Sequence, residues 1–326
     1  MKRFVSRLLQ FTVVCVVSVF PAFVVAQAWP AKTIKFIVPY PPGGTSDILA
    51  RTIGEKLGTA LGQTIVVENK PGANGNVGAD YVAKASPDGY TFLLADIGAI
   101  AISPSVYPSL PFDPVKNFTP VTMVAYSPHI LVVHPSVPAK SVAELVALAK
   151  SKPGKLNYAA SSTGSAPHLA GVEFAQRAKI DWNYIPYKGG AQAITDVVGG
   201  QADLLFNGML ATYPNVKGGK LRILAVSSAN RLASIPDVPT VAESGFPGFE
   251  TGSWQGILAP PGTPSEIVAK LGSEVQKILA TPEMKEKLAA QGADVRVTTG
   301  AELSGFISKE RDRWAKVVKE AGIKAE

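Results

Sequence analysis

The sequence predicts an α/β protein of two domains with a ligand cleft between them, and three observations carry that prediction. Strand-like and helix-like stretches alternate from Trp29 onward, the pattern of sheets flanked by helices. A strand–glycine–helix turn recurs, as Lys35-Phe-Ile-Val-Pro-Tyr-Pro-Pro-Gly-Gly-Thr-Ser-Asp47 and again as Asn183-Tyr-Ile-Pro-Tyr-Lys-Gly-Gly190. Two crossings between domains, near Ala125 and Gly245, stand beside proline-rich segments. They make the first domain discontinuous (residues 27–125 and 247–326), with the second (126–246) inserted.

The N-terminus is set apart. Lys2, Arg3 and Arg7 precede an uncharged apolar run from Phe11 to Ala26, the layout of a cleavable signal peptide over residues 1–26. The run falls short of the roughly 20 apolar residues a spanning helix needs. Cleavage is expected after Ala26 or Ala28. Without the leader the formal charge falls from +7 to +4, with 29 basic and 25 acidic residues. A mildly basic chain without lysine or arginine clusters suits an anionic small molecule and argues against nucleic acid. Cys15, the one cysteine, lies in the leader, so the exported chain is expected to hold no disulfide and no thiolate.

In chain order, Phe36–Val38 reads as a buried strand. The prolines and glycines end it, and Leu49, Ile53 and Leu57 then mark one stripe of a helix. Such a turn leaves the first helical N–H groups unpaired, lets a ligand approach the backbone closely, and places the positive helix end beside it. Thr64–Glu68 is a strand and Asn69–Gly75 a turn before a short helix with Val77, Tyr81 and Val82. Ser86-Pro-Asp-Gly89 is a turn by composition, and Thr91–Ala95 a strand ending at Asp96. Ser103–Pro120 is proline-rich and expected to be irregular.

The apolar runs Val121–Ala125 and Ile130–Val133 carry the first crossing. Ser141-x-x-Glu144 is a capping box. Leu156–Ala159 is a strand before the loop Ala160-Ser-Ser-Thr-Gly-Ser165, and Pro167 suits the first turn of the next helix. Asp203–Phe206 and Arg222–Val226 are strands, and the segment from Ile235 to Gly248 is the return crossing. After the strand Trp254–Leu258, Thr263-Pro-Ser-Glu266 and Thr281-Pro-Glu283 open two helices. Ala293–Val297 is a final strand, and Leu303, Phe306, Ile307, Trp314 and Val318 line the core face of the last helix.

Three histidines form no metal constellation, and His129 and His134 read as structural. Ser165 and His168 are the one pair with the residue types of nucleophilic catalysis, but at a helix start this spacing caps or orients a loop. No Gly-x-Ser-x-Gly elbow, phosphate-binding Walker loop or Cys-x-x-Cys occurs, and no cofactor is implied.

The leader resembles that of the Bug family, the solute-binding components of tripartite tricarboxylate transporters. So do Phe36–Asp47, Glu68-Asn-Lys-Pro-Gly-Ala73, Pro87-Asp-Gly-Tyr-Thr91, Ser161-Ser-Thr-Gly-Ser165 with His168, Pro186-Tyr-Lys-Gly-Gly190 and Pro236-Asp-Val-Pro-Thr240. The resemblance covers essentially the whole mature chain. It implies a two-domain, clamshell periplasmic-binding-protein fold and a non-enzymatic, monomeric carrier that delivers a small carboxylate to a membrane permease. It also implies that Gly43, Gly44, Thr45 and Asp47 face Ser161, Thr163, Gly164, Ser165, His168, Lys188, Gly189 and Gly190 across the cleft.

Two positions depart from the family pattern. Asp96 stands where a small or hydroxylated residue is usual near the ligand, and Asn207 where aspartate is most common. A carboxylate at Asp96 would repel an anion unless protonated, turned away or paired with an ammonium. Alternative readings are a secreted hydrolase using Ser165 and His168, and a ligand-reporting partner of a membrane sensor.

Overall fold

The computed structural model describes residues 29–290 and 292–324; the leader, with Cys15 and both cleavage positions, lies outside the described residues. β1 (Ile34–Val38) is the expected strand. It passes through the double-proline, double-glycine turn into α1 (Thr45–Leu61), whose stripe of Leu49, Ile53 and Leu57 is fully buried. β2 (Ile65–Asn69), α2 (Asn76–Ala83) and β3 (Thr91–Asp96) follow, and β1 pairs in parallel with both β2 and β3. The stretch expected to be irregular instead begins with helical turns. A π-turn at Gly98–Ile102 leads into the single turn α3 (Ser103–Val106), where Pro104 occupies a position that needs no donor.

Val121–Ala125 and Ile130–Val133 are one strand, β4 (Thr119–Val133). It tolerates Pro120 beside a register shift and Pro128 at the end of its ladder, opposite Gly252. α4 (Val142–Ser151), β5 (Asn157–Ala160), α5 (Ala166–Ala178), β6 (Asn183–Pro186), α6 (Gly190–Val198) and β7 (Leu204–Gly208) continue the alternation. α7 (Met209–Lys217), which sequence reading did not foresee, contains Pro214; β8 (Arg222–Val226) follows. The chain returns through β9 (Gly252–Ala259) to α8 (Ser265–Ala280), α9 (Pro282–Ala289), the two-residue β10 (Asp294–Val295) and α10 (Gly300–Ala321).

Among the described residues the strand order is β2-β1-β3-β9-β4-β7-β5-β6, with β8 and β10 also on β4. The parallel expectation holds within β1–β3 and within β5–β7. It fails where the chain passes from one half to the other. β9 runs antiparallel to β3 and β4, and β4 antiparallel to β7 and β8, because these strands enter without the helical crossover that makes neighbours parallel. Side chains alternate along β4: Leu131 and Val133 join Tyr158, Phe174 and Phe206 on one face, while Ile130 and Val132 join Ala193, Val197 and Leu205 on the other.

Helix starts follow their caps with two changes. Ser141 accepts from the Glu144 N–H, but the Glu144 carboxylate reaches back to the Lys140 N–H rather than closing the box. Thr263 donates its hydroxyl to the Pro260 carbonyl and does not cap α8, which begins after Pro264. Thr281 caps α9 as expected, and a complete Thr299/Glu302 box opens α10.

Candidate functional site

Between the halves lies a cavity of about 610 Å³ including its mouth, onto which four helix N-termini open. α1 contributes Gly44, Thr45 and Ser46, α5 contributes Ser165, Ala166 and Pro167, and α6 contributes Gly189 and Gly190. α7 contributes Gly208, missed in the sequence because Asn207–Gly208 runs from strand to helix without a loop and Pro214 obscures the helical pattern. No side chain caps α1, α6 or α7, so their first N–H groups are free for a ligand. Among the described residues the lining holds no lysine, arginine or histidine, and its one charged side chain is Asp96.

Of the residues singled out in the sequence, Gly44, Thr45, Asp96, Ser161, Ser165, Gly189, Gly190 and Asn207 line this cavity. Ser161 donates to Asn207 Oδ1 (3.1 Å), and the Asn207 amide donates to Thr212 Oγ1 (3.1 Å), so Asn207 fixes one wall. Asp96 accepts through Oδ1 from the Tyr40 hydroxyl and from the Gly98 N–H, both at 2.6 Å. Burial raises its carboxyl to about 6 despite those two hydrogen bonds.

Six others do not line the cavity, each for a local reason. Gly43 sits behind the turn in the left-handed region (φ 81°) and donates its N–H to Asp47 Oδ2 (3.0 Å). Asp47, 3% exposed, also accepts from Arg51 Nε (3.1 Å), Arg51 Nη2 (2.9 Å) and Asn69 Nδ2 (2.9 Å). Burial alone would raise its carboxyl; these donors outweigh that and hold it below the usual range. Asp47 therefore braces the glycine turn. Thr163 and Lys188 are exposed. Gly164 packs on Val106 and accepts from Asn74 Nδ2 (3.2 Å), tying the two halves together.

His168 accepts the Gly164 N–H at Nδ1 (3.1 Å), stacks edge-on against Tyr184, and is pushed down to about 4 by burial. Its own N–H donates to Ser165 Oγ (3.3 Å). The pair is a cap and a loop brace, not a nucleophile with its base. His129 is structural as expected: fully buried, with ring nitrogens 3.1 Å from Thr251 Oγ1 and Ser253 Oγ, and lowered by burial to about 3.

Sequence reading also missed Tyr40 and Pro41, which lay inside the turn motif, and Gly98. It missed Ser253 and Gln255 on β9 as well. Their signal was there: two polar residues at period two in a strand whose eight residues are all buried.

Comparison with known proteins places this geometry. The model of the tripartite tricarboxylate transporter family receptor matches residues 49–323. Protein BugT of Bordetella pertussis is 39% identical over 300 residues, 92% of either chain. The structure of R. palustris Rpa4515 with adipate superposes with a TM-score of 0.89 at 38% identity, covering 91% of this chain and 99% of that one. The periplasmic binding protein BugD gives 0.88 at 35% identity over 91% of this chain and 100% of its own. The fold is thus that of the two-domain periplasmic binding proteins, as expected.

Proposed function

The chain belongs to the tripartite tricarboxylate transporter family of receptors, and from that premise we propose that it captures a small carboxylate-bearing ligand between its halves and delivers it to a membrane permease. The family is one of solute-binding receptors, not enzymes. One observation carries the ligand class: four helix N-termini converge on a cavity that holds no cationic side chain. An anion there is met by backbone N–H and hydroxyl donors. Each terminus contributes about 0.3–1 kcal/mol and each hydrogen bond to a charged group about 1.5–3 kcal/mol. Less the ordering cost, a handful reaches the roughly 8 kcal/mol of a micromolar site. The adipate bound by Rpa4515 belongs to the same chemical class.

In this reading residues 27–125 and 247–326 form one domain and 126–246 the other, supported by the two passages of the chain through β4 and into β9. The protein acts as a periplasmic monomer after loss of the leader. No helix among the described residues is long and apolar enough to cross a membrane.

Titration calorimetry with short carboxylates, adipate among them, tests the site through Gly44→Val. The first added carbon would meet only the Pro41 carbonyl, at 3.7 Å, on a backbone with φ −81°. Affinity should fall about tenfold or more, some 1.4 kcal/mol, with the melting temperature within about 2 °C of wild type. Unchanged affinity would remove the α1 terminus from the site. A wild-type protein that takes up no carboxylate at millimolar concentration would overturn the function itself.

A further inference from the structure

The cavity has two chemically different ends. Four helix N-termini rich in donors open onto it, whereas the paired strands β3 and β9 form its floor by bringing Asp96 and Gln255 into the lining directly opposite one another. The protein occupies only one oxygen of Asp96: Tyr40 and Gly98 both donate to Oδ1, and among the described residues no donor reaches Oδ2. Gln255 is fully buried, and among the described residues neither its Oε1 nor its Nε2 has a partner. A buried amide with both ends unpaired has given up its water without any compensating hydrogen bond, so a ligand that satisfies it recovers that cost. Among the described residues no cationic side chain lines the cavity to neutralise Asp96 or to pair with a second ligand carboxylate.

Resting on the carboxylate reading above, we propose that the ligand is an amino-carboxylic acid, with its carboxylate at the helix N-termini and its ammonium received by Asp96 Oδ2 and Gln255 Oε1. Gln255 Nε2 then donates to a ligand oxygen. Binding pairs an ammonium with a carboxylate that otherwise faces the cavity without a counter-charge, and fills both ends of the orphaned amide. A plain dicarboxylate would place its second negative charge against Asp96.

The acidity of Asp96 gives the pairing a pH signature. The other titratable groups around it stay neutral near pH 7. Burial raises the phenol of Tyr40 well above 10 and also raises Tyr107 behind it, and the ring of His129, beyond Ser253, is lowered to about 3. With Asp96 at about 6, the ammonium partner is present above pH 6 and lost below it. Affinity for an amino-carboxylate should therefore climb as pH rises through 6 and flatten above 7.

The test uses matched pairs, aspartate against succinate and glutamate against glutarate, titrated by calorimetry into the wild type, Asp96→Asn and Gln255→Leu. Asp96→Asn keeps an acceptor for Tyr40 and Gly98, so the fold should hold, which circular dichroism checks. In the wild type the amino member of at least one pair should bind at least tenfold more tightly, with the pH profile described. Asp96→Asn should abolish both that preference and its pH dependence, and Gln255→Leu should weaken the amino member more than its partner. Dicarboxylates that bind as tightly as their amino counterparts, or amino members whose affinity does not fall as pH drops through 6, would overturn the inference and leave the carboxylate reading standing. Failure of all four to bind at millimolar concentration would overturn both.

Discussion

The variant Gly189→Val is expected to bind ligand about a hundredfold more weakly than the wild type, with little change in melting temperature. Gly189 precedes α6 with an extended backbone (φ 171°, ψ 170°) that valine adopts without strain. Its first added carbon would lie 2.8 Å from Cδ and 3.1 Å from Cγ of Pro41, on the opposite wall. A proline ring cannot rotate out of the way, so the walls must separate. The apparent dissociation constant is the intrinsic one divided by the fraction of molecules able to close, and a fall of that fraction to about 1% gives the hundredfold loss. Small-angle scattering should show the wild type contracting with saturating ligand and the variant remaining extended. Adding Pro41→Gly should return part of the affinity. A variant that contracts and binds like the wild type would show that the two walls do not meet in this way.

Much of this arrangement was legible because it is local. The run Phe36–Val38, the double glycine and the 49/53/57 stripe lie within two dozen residues, and each follows from periodicity or from glycine's lack of a side chain. Gln255 and Ser253 escaped because their significance depends on the return strand lying beside Asp96, a pairing between distant parts of the chain. Trp254, Ile257 and Leu258 beside them mark the strand and give no sign of a ligand. The opposite error befell Asp47 and His168. The family resemblance placed both beside the ligand, yet both spend their hydrogen bonds on the loop itself, as short polar side chains at helix starts commonly do and as the spacing of Ser165 and His168 already suggested.

The second large effect follows from that brace. Asp47→Ala should destabilise the protein by about 1.5–3 kcal/mol, the range for hydrogen bonds to a charged group, because it leaves the Gly43 N–H and the Asn69 amide without their acceptor. Arg51 softens the loss, since its side chain is 53% exposed and can return to water. Asp47→Asn keeps an acceptor and should cost less. Ligand affinity should drop in both variants, because the turn carrying Gly44 loses its anchor. Urea denaturation measures the stability term, and a midpoint within error of wild type for Asp47→Ala would show that the turn holds itself.

The absence of any cation from the cavity lining also bears on the speed of capture. Dipoles project a field that fades within a turn of the helix, whereas a cluster of lysines or arginines reaches a Debye length, about 8 Å in physiological salt. The lining therefore adds no long-range steering of its own, and ionic strength should change the association rate only through the mildly basic outer surface. Discrimination then rests on dwell time: a molecule that satisfies the floor and the termini together stays long enough for the halves to shut around it, and one that satisfies only part leaves first.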